Sequence, residues 1–246
     1  MMKKYLLAIT VAVFAVTNVF ANDDDENPGG WDFEMPGLKV SKTTTSSKAK
    51  IKSSISSTFS FGFIGGVSQD DGVGINMGQS FEIEWGDVIS GKVRLGRKDF
   101  LRLGMGFDWR NYRMTDRMFV KGPDGVTFTS PFPPGTEPKF SRIHTFSLSF
   151  PLKYYHYFNK KMYFAVGPEL YITPWGSLKT KYYDAYGEEQ KYTAGNIHEN
   201  TVSLGVGAEV NIHHIGIYYK YNPFNVLSSS FGPGFASMTT GIKIAF

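Results

Sequence analysis

The chain has 246 residues with 27 Gly, 12 Pro and no Cys, which excludes a disulfide framework, a thiolate metal site, a cysteine nucleophile and an acylated lipoprotein cysteine. Hydrophobic residues make up 41% and aromatic residues 16%, enough for one large domain or two small ones. The formal charge of +4 includes Lys3 and Lys4; without them 24 basic residues face 22 acidic ones, a balance that gives no electrostatic ground for nucleic acid as a partner.

Met1 to Ala21 carries two lysines, Lys3 and Lys4, near its start, continues as an apolar run from Leu6 to Val16 and ends Val19-Phe20-Ala21, with small residues where a signal peptidase cuts. This pattern predicts a cleaved export signal over 1–21. A membrane anchor needs about 20 apolar residues to cross ~30 Å of hydrocarbon, and Thr17, Asn18 and the acidic Asp23-Asp24-Asp25-Glu26 stop the run early. No later stretch approaches that length, so the mature chain reads as a β-barrel or a soluble protein. From 22 to 57 the sequence is polar and low in complexity and predicts a flexible periplasmic segment. Its Gly29-Gly30-Trp31 is similar to the Gly-x-Trp opening of lipocalins, but the Ser/Thr/Lys tract that follows is the wrong continuation for that family.

Beyond Ser57 the hydrophobic period becomes two. Phe59, Phe61 and Phe63 share one face; Phe81, Ile83 and Trp85 alternate with Glu82 and Glu84; Leu101 to Trp109 alternates with Arg102, Gly104, Gly106, Asp108 and Arg110. The same alternation predicts strands at 145–153, 163–172, 201–212, 215–222 and 238–246, making eight. Charges orient the faces, because an Arg or Lys on the lipid side at mid-membrane costs about 2–4 kcal/mol. Glu82, Glu84, Asp108, Glu169 and Glu209 share the Gly/Ser-rich face with Arg102, Arg110, Lys153, Lys220 and Lys243, and are predicted to form a lumen charge network. If the second strand continues past Gly86, Ile89, Val93 and Leu95 keep its apolar phase but Asp87 falls on that phase too, so the course of 86–98 stays open.

Connections alternate between long (67–79, 113–142, 173–200 and 223–237) and short (156–161 and 213–214), as external loops and periplasmic turns do. Tyr154, Tyr155, Tyr157 and Phe158 gather near one strand end and Trp109, Tyr112 and Trp175 near the other, where amphipathic rings favour membrane interfaces. The expected fold is therefore all-β: an eight-stranded antiparallel transmembrane β-barrel over 58–246, in the cell outer membrane and in contact with its lipid.

The strand Leu103 to Tyr112 (LGMGFDWRNY), the hairpin from Leu152 to Glu169 and the closing TTGIKIAF resemble outer-membrane β-barrel proteins of the PorT-like type from Bacteroidetes. The resemblance covers about 58–246 and implies the fold rather than an activity; the family's namesake is associated with secretion of surface proteins, a role that no residue here carries over. Ile242, Ile244 and Phe246 resemble the terminal strand signal read by the barrel-assembly machinery, which implies that partner during insertion.

Catalysis finds little support. His144 follows a long loop, where a general base could meet bound lipid, but its phase matches that of Phe146 and Leu148, and no nucleophile is expected on that face. His156 and His213-His214 read as solvated turn residues and His198 as a loop residue, so neither metal nor cofactor is expected. The long loops at 122–135 and 179–187 either cover the barrel mouth or bind an external ligand that the sequence does not identify. A structural or surface-interaction role with a filled lumen is the expectation; a lipid-modifying barrel enzyme and a soluble periplasmic lipocalin-like binding barrel are the alternatives.

Overall fold

The computed structural model describes residues 57–246 in full and, ahead of them, the backbone of 31–35, 38–42 and 50–52. The predicted export signal over 1–21 lies outside the described residues, as does most of 22–57.

Eight strands close into one antiparallel ring. In chain order with the shorter strands, they are β1 (Trp31–Met35), β2 (Leu38–Lys42), β3 (Lys50–Lys52), β4 (Thr58–Val67), β5 (Phe81–Arg94), β6 (Asp99–Met114), β7 (Arg117–Lys121), β8 (Thr127–Pro131), β9 (Glu137–Asn159), β10 (Met162–Tyr183), β11 (Glu189–Gly195), β12 (Val202–Ile212), β13 (Ile215–Asn222) and β14 (Ala236–Ala245). The ring runs β4-β5-β6-β9-β10-β12-β13-β14, and β14 returns to β4 with Thr240 opposite Phe63 and Ile244 opposite Phe59. Closure matters energetically, because an open sheet would leave a row of unpaired backbone groups at its edge.

Period-two alternation makes the wall two-faced. Along β13 exposed and buried residues alternate without a break. Phe59, Phe61, Val202, Leu204, Val206, Ile217 and Ile242 face outward and are exposed, whereas Ser60, Ser149, Thr239, Glu82, Lys153 and Lys220 face inward and are buried. A soluble barrel around an apolar ligand has the opposite polarity, so the lipocalin-like alternative is overturned.

Turns at 95–98, 160–161 and 213–214 join strands at one end, and four longer connections sit at the other. Four of the strands predicted from alternation, β5, β6, β9 and β10, are longer in the structure, β9 and β10 most of all. β9 begins at Glu137 and β10 runs to Tyr183, so with β11 they raise a wall above the ring; β11 pairs with β10 from Ser177 to Tyr183, beyond the stretch of β10 paired with β12. At the short-turn end, β1 pairs with β5, Trp31 opposite Val93 and Glu34 opposite Ser90, along the part of β5 that β4 leaves uncovered below Gly86.

The open question at 86–98 resolves into a bulge. From Trp85 to Ile89 β5 advances four residues while β6 advances only two, Phe107 to Met105. The two additional residues preserve the outward phase of Ile89 and turn Asp87 into the lumen, where it is buried. Asp87 adopts φ +53°, a left-handed conformation that Asp tolerates better than most residues.

Candidate functional site

Each of the ten charged residues singled out above lies on an inward position. Arg110 Nε contacts Glu82 Oε2 at 3.0 Å and its Nη2 contacts Asp108 Oδ2 at 2.8 Å; Lys220 Nζ reaches Glu82 at 2.8 Å and Glu84 at 2.9 Å. Nearer the short-turn end, Lys153 lies 2.6 Å from Glu169 and 3.0 Å from Glu209, and Lys243 donates to Glu209 at 2.9 Å. Two longer contacts, Lys220 to Glu169 at 3.8 Å and Lys243 to Asp87 at 4.0 Å, join these groups, and Arg102 ends the chain 3.5 Å from Asp87. Asp87 is thus an eleventh member that periodicity missed, because a bulge has no period.

Hydroxyls satisfy carboxylate lone pairs that the cations leave. Tyr171 donates to Glu169, Tyr218 to Glu82 at 3.3 Å and Ser149 to Glu84 at 2.9 Å. Glycine leaves room for two of the carboxylates as they lie: a Cβ on Gly207 would overlap Glu169 Oε1 and one on Gly104 would fall 2.5 Å from Asp87 Oδ1, so either would displace a carboxylate from its partners. Such a network is favourable only when it is nearly complete, since each ion has lost its water and needs its partners.

Above the network lies a different interior. Ile64, Tyr112, Met114, Ile143 and Leu178 point inward from strand ends and meet Val73, Ile75, Phe119, Ile197, Leu227 and Phe235 from β7 and the long connections. Tyr112 stacks edge-on against Phe235 with ring centroids 5.4 Å apart. The long connections therefore fold inward as an apolar cap over the charges. Between the two sits a polar cavity of about 20 Å³, bordered by Arg110, Thr145, Tyr171 and Asn222, close to the volume of a single water. At the opposite mouth a wider cavity of about 400 Å³ is lined by Lys92, Phe100, Tyr157 and the turn residues Arg97, Lys98 and Lys160.

Several rings depart from their expected places. Tyr112, expected at the interface, is 2% exposed inside the cap, and Tyr155 is buried in the lumen. Both occupy inward positions, so alternation outweighs the preference of a Tyr for the interface. Trp109, Phe146 and Trp175 do form one outward row across β6, β9 and β10.

His144 also faces outward, edge-on to Trp175 at 5.2 Å. The expectation that no nucleophile shares its face is corrected by a second bulge: β10 advances three residues from Ile172 to Trp175 while β9 advances two. That shift reverses the phase of β10 and sets Ser177 directly across from His144, with Asn111 opposite on the other side. Among the described residues His156 Nδ1 lies 2.8 Å from Asp99, His214 Nδ1 3.1 Å from the Ala245 carbonyl, and the His198 ring stacks on Phe231 at 4.0 Å. The Ile242 and Ile244 side chains face outward on β14, and Phe246 is 70% exposed.

No family model matches the chain, and no curated protein matches its sequence. Among solved structures, Ail, the attachment invasion locus protein of Yersinia pestis, aligns over 78% of this chain and 98% of its own at 12% identity and a TM-score of 0.33, both alone and in complex with the heparin analogue sucrose octasulfate. The toluene transporter TodX of P. putida aligns over 89% of this chain and 86% of its own at 8% identity and a TM-score of 0.16.

Proposed function

We propose that the protein is a non-conducting outer-membrane β-barrel of the PorT-like kind that displays its long loops outside the cell and acts through them in structure or surface interaction, without catalysis or cofactor. One observation carries this reading: a closed ring with apolar side chains outward and an ion-paired, capped interior. Strands of 10 or 11 residues in β4, β12 and β14 match the ~9–11 residues of a tilted membrane-crossing strand. Outer-membrane lipid is the partner of the outward face, and the barrel-assembly machinery, reading Ile242, Ile244 and Phe246, is the insertion partner. The test combines membrane fractionation, migration of unboiled protein in detergent gels and conductance in planar bilayers. Recovery with the outer membrane, a shift on boiling and no conductance above that of the lipid are expected; steady open channels would overturn the sealed lumen, and recovery in the soluble periplasm would overturn the barrel's place.

A second reading, a lipid-modifying enzyme, has its own support in the outward row Asn111–His144–Ser177. Directly opposed residues have Cβ atoms ~4.5–5.5 Å apart, within reach of a Ser–His hydrogen bond after a rotamer change. Release of fatty acid from phospholipid vesicles by the refolded protein, abolished in Ser177→Ala, would favour it over the first reading; no release would remove it.

A further inference from the structure

Four residues beyond the row Trp109–Phe146–Trp175, in the direction of the long loops, the same three strands carry Arg113, Arg142 and Lys179 directly opposite one another. Their flanking residues Tyr112, Met114, Ser141, Ile143, Leu178 and Thr180 are all buried inward, so the three cations stand on the outer wall. Four residues at ~3.3 Å each, tilted about 40°, place them roughly 10 Å above the aromatic row along the membrane normal.

Like charges directly opposed across strands destabilise a sheet, yet among the described residues none of the three has a carboxylate within ion-pair distance; the nearby Glu189 pairs instead with Lys139 and Lys181. The guanidinium groups are only partly satisfied. Arg113 donates one bond to the Lys139 carbonyl at 2.9 Å, while the Nε atoms of Arg113 and Arg142 are buried without a partner. Both guanidinium groups lie near the Phe140 ring, 4.9 and 5.5 Å from its centroid.

We infer that the row Arg113–Arg142–Lys179 binds the phosphate groups of a phosphorylated lipid in the outer leaflet. The inference rests on the outer-membrane reading: at that height the outer wall faces lipid headgroups, and a phosphate bridging adjacent strands removes the repulsion that the folded chain otherwise retains. Arginine suits this task because its planar fork of donors matches phosphate oxygens.

The test is native mass spectrometry of the barrel released from detergent micelles containing phosphorylated lipid A, the same lipid after phosphatase treatment, or inorganic phosphate alone. Retention of phosphorylated lipid A is expected, weakened about fivefold for each cation removed and on the order of a hundredfold in the triple variant Arg113→Gln, Arg142→Gln, Lys179→Gln. A Lys160→Gln, Lys161→Gln variant at the opposite end should retain the lipid fully. Equal retention by the triple variant, or of the dephosphorylated lipid, overturns the inference, while inorganic phosphate displacing the lipid at equal concentration assigns the site to free phosphate and overturns the lipid as ligand. If the triple variant does not fold, Arg142→Gln alone must show the fivefold loss. Heat-modifiable migration read on the same samples separates the outcomes, since its absence in the wild type counts against the barrel and not the phosphate row.

Discussion

Two interiors share this barrel, and they are built by opposite rules. The lumen is lined from strands: ten of its charged side chains sit where a period of two places them, the β5 bulge adds Asp87, and the eleven ions form one connected set from Arg102 to Arg110. The cap is assembled partly from connections, with Val73, Ile197, Leu227 and Phe235 arriving from segments without a common period. Its favourable terms add roughly side chain by side chain, at about 1.5–3 kcal/mol for each large apolar group fully buried. Those of the lumen do not add, because an ion there has value only through partners that are equally desolvated. The cap should therefore tolerate piecemeal change, and the lumen should not.

The sharpest way to break that contrast is at Lys220, which touches Glu82 and Glu84 within 3 Å and links both halves of the network through Glu169. Replacing it by Met leaves four buried carboxylates, Glu82, Glu84, Asp108 and Glu169, short of a cation, and a loss of about 3–5 kcal/mol is expected from equilibrium urea unfolding in lipid or detergent. Adding Glu82→Gln should recover part of that loss, which marks the defect as charge rather than shape. A Lys220→Met barrel within ~1 kcal/mol of wild type would show that the lumen is wet enough to screen its ions.

In the cap the matching change is Leu227→Ala, at a residue with no exposed surface. A loss of roughly 2–5 kcal/mol is the range for a fully buried leucine, and the lower end is expected because connections collapse onto a cavity more easily than a closed ring does. Limited proteolysis should find the long connections more readily cut, while migration of the unboiled barrel stays unchanged. Unfolding of the ring together with the cap would show that the two interiors are one cooperative unit.

The same division decides what the sequence made legible. Strand number, the inward face and its ten charges followed from alternation, because strands with two chemically different faces repeat every second residue. Asp87 escaped because two bulged residues interrupt the period, and Ser177 escaped because a one-residue bulge reverses it; sequence offers no period to read at either place. Pro174, inside the second bulge, was the available signal, since a proline in a strand marks an edge or an irregularity. Tyr112 shows the reverse: its inward phase is legible, and the preference of a Tyr for the interface, which points the other way, does not override that phase. The cap was least legible, since burial of Leu227 or Phe235 depends on where a connection comes to rest and not on a pattern within it.

The smallest effect is expected where an ion pair resembles those of the lumen in chemistry but not in surroundings. Glu189, on the wall that β9, β10 and β11 raise above the ring, hydrogen-bonds Lys181 and, at 3.0 Å, Lys139, and those bonds hold its carboxyl at about 2, below the usual 4.5. A depressed folded value means that the contribution is fully present above pH 4.5 and disappears as pH falls from there toward 2. All three side chains are partly solvated, so screening keeps the contribution small. Glu189→Gln should leave the unfolding midpoint at pH 7 almost unchanged. Amide exchange along β10 and β11 should accelerate between pH 4.5 and 2 in the wild type, beyond the intrinsic pH dependence, and show no such excess in the variant. An equal excess in both would place the acid-sensitive contact elsewhere. A midpoint shift at pH 7 as large as that of Lys220→Met would show that desolvation does not separate the lumen's ions from those on the wall.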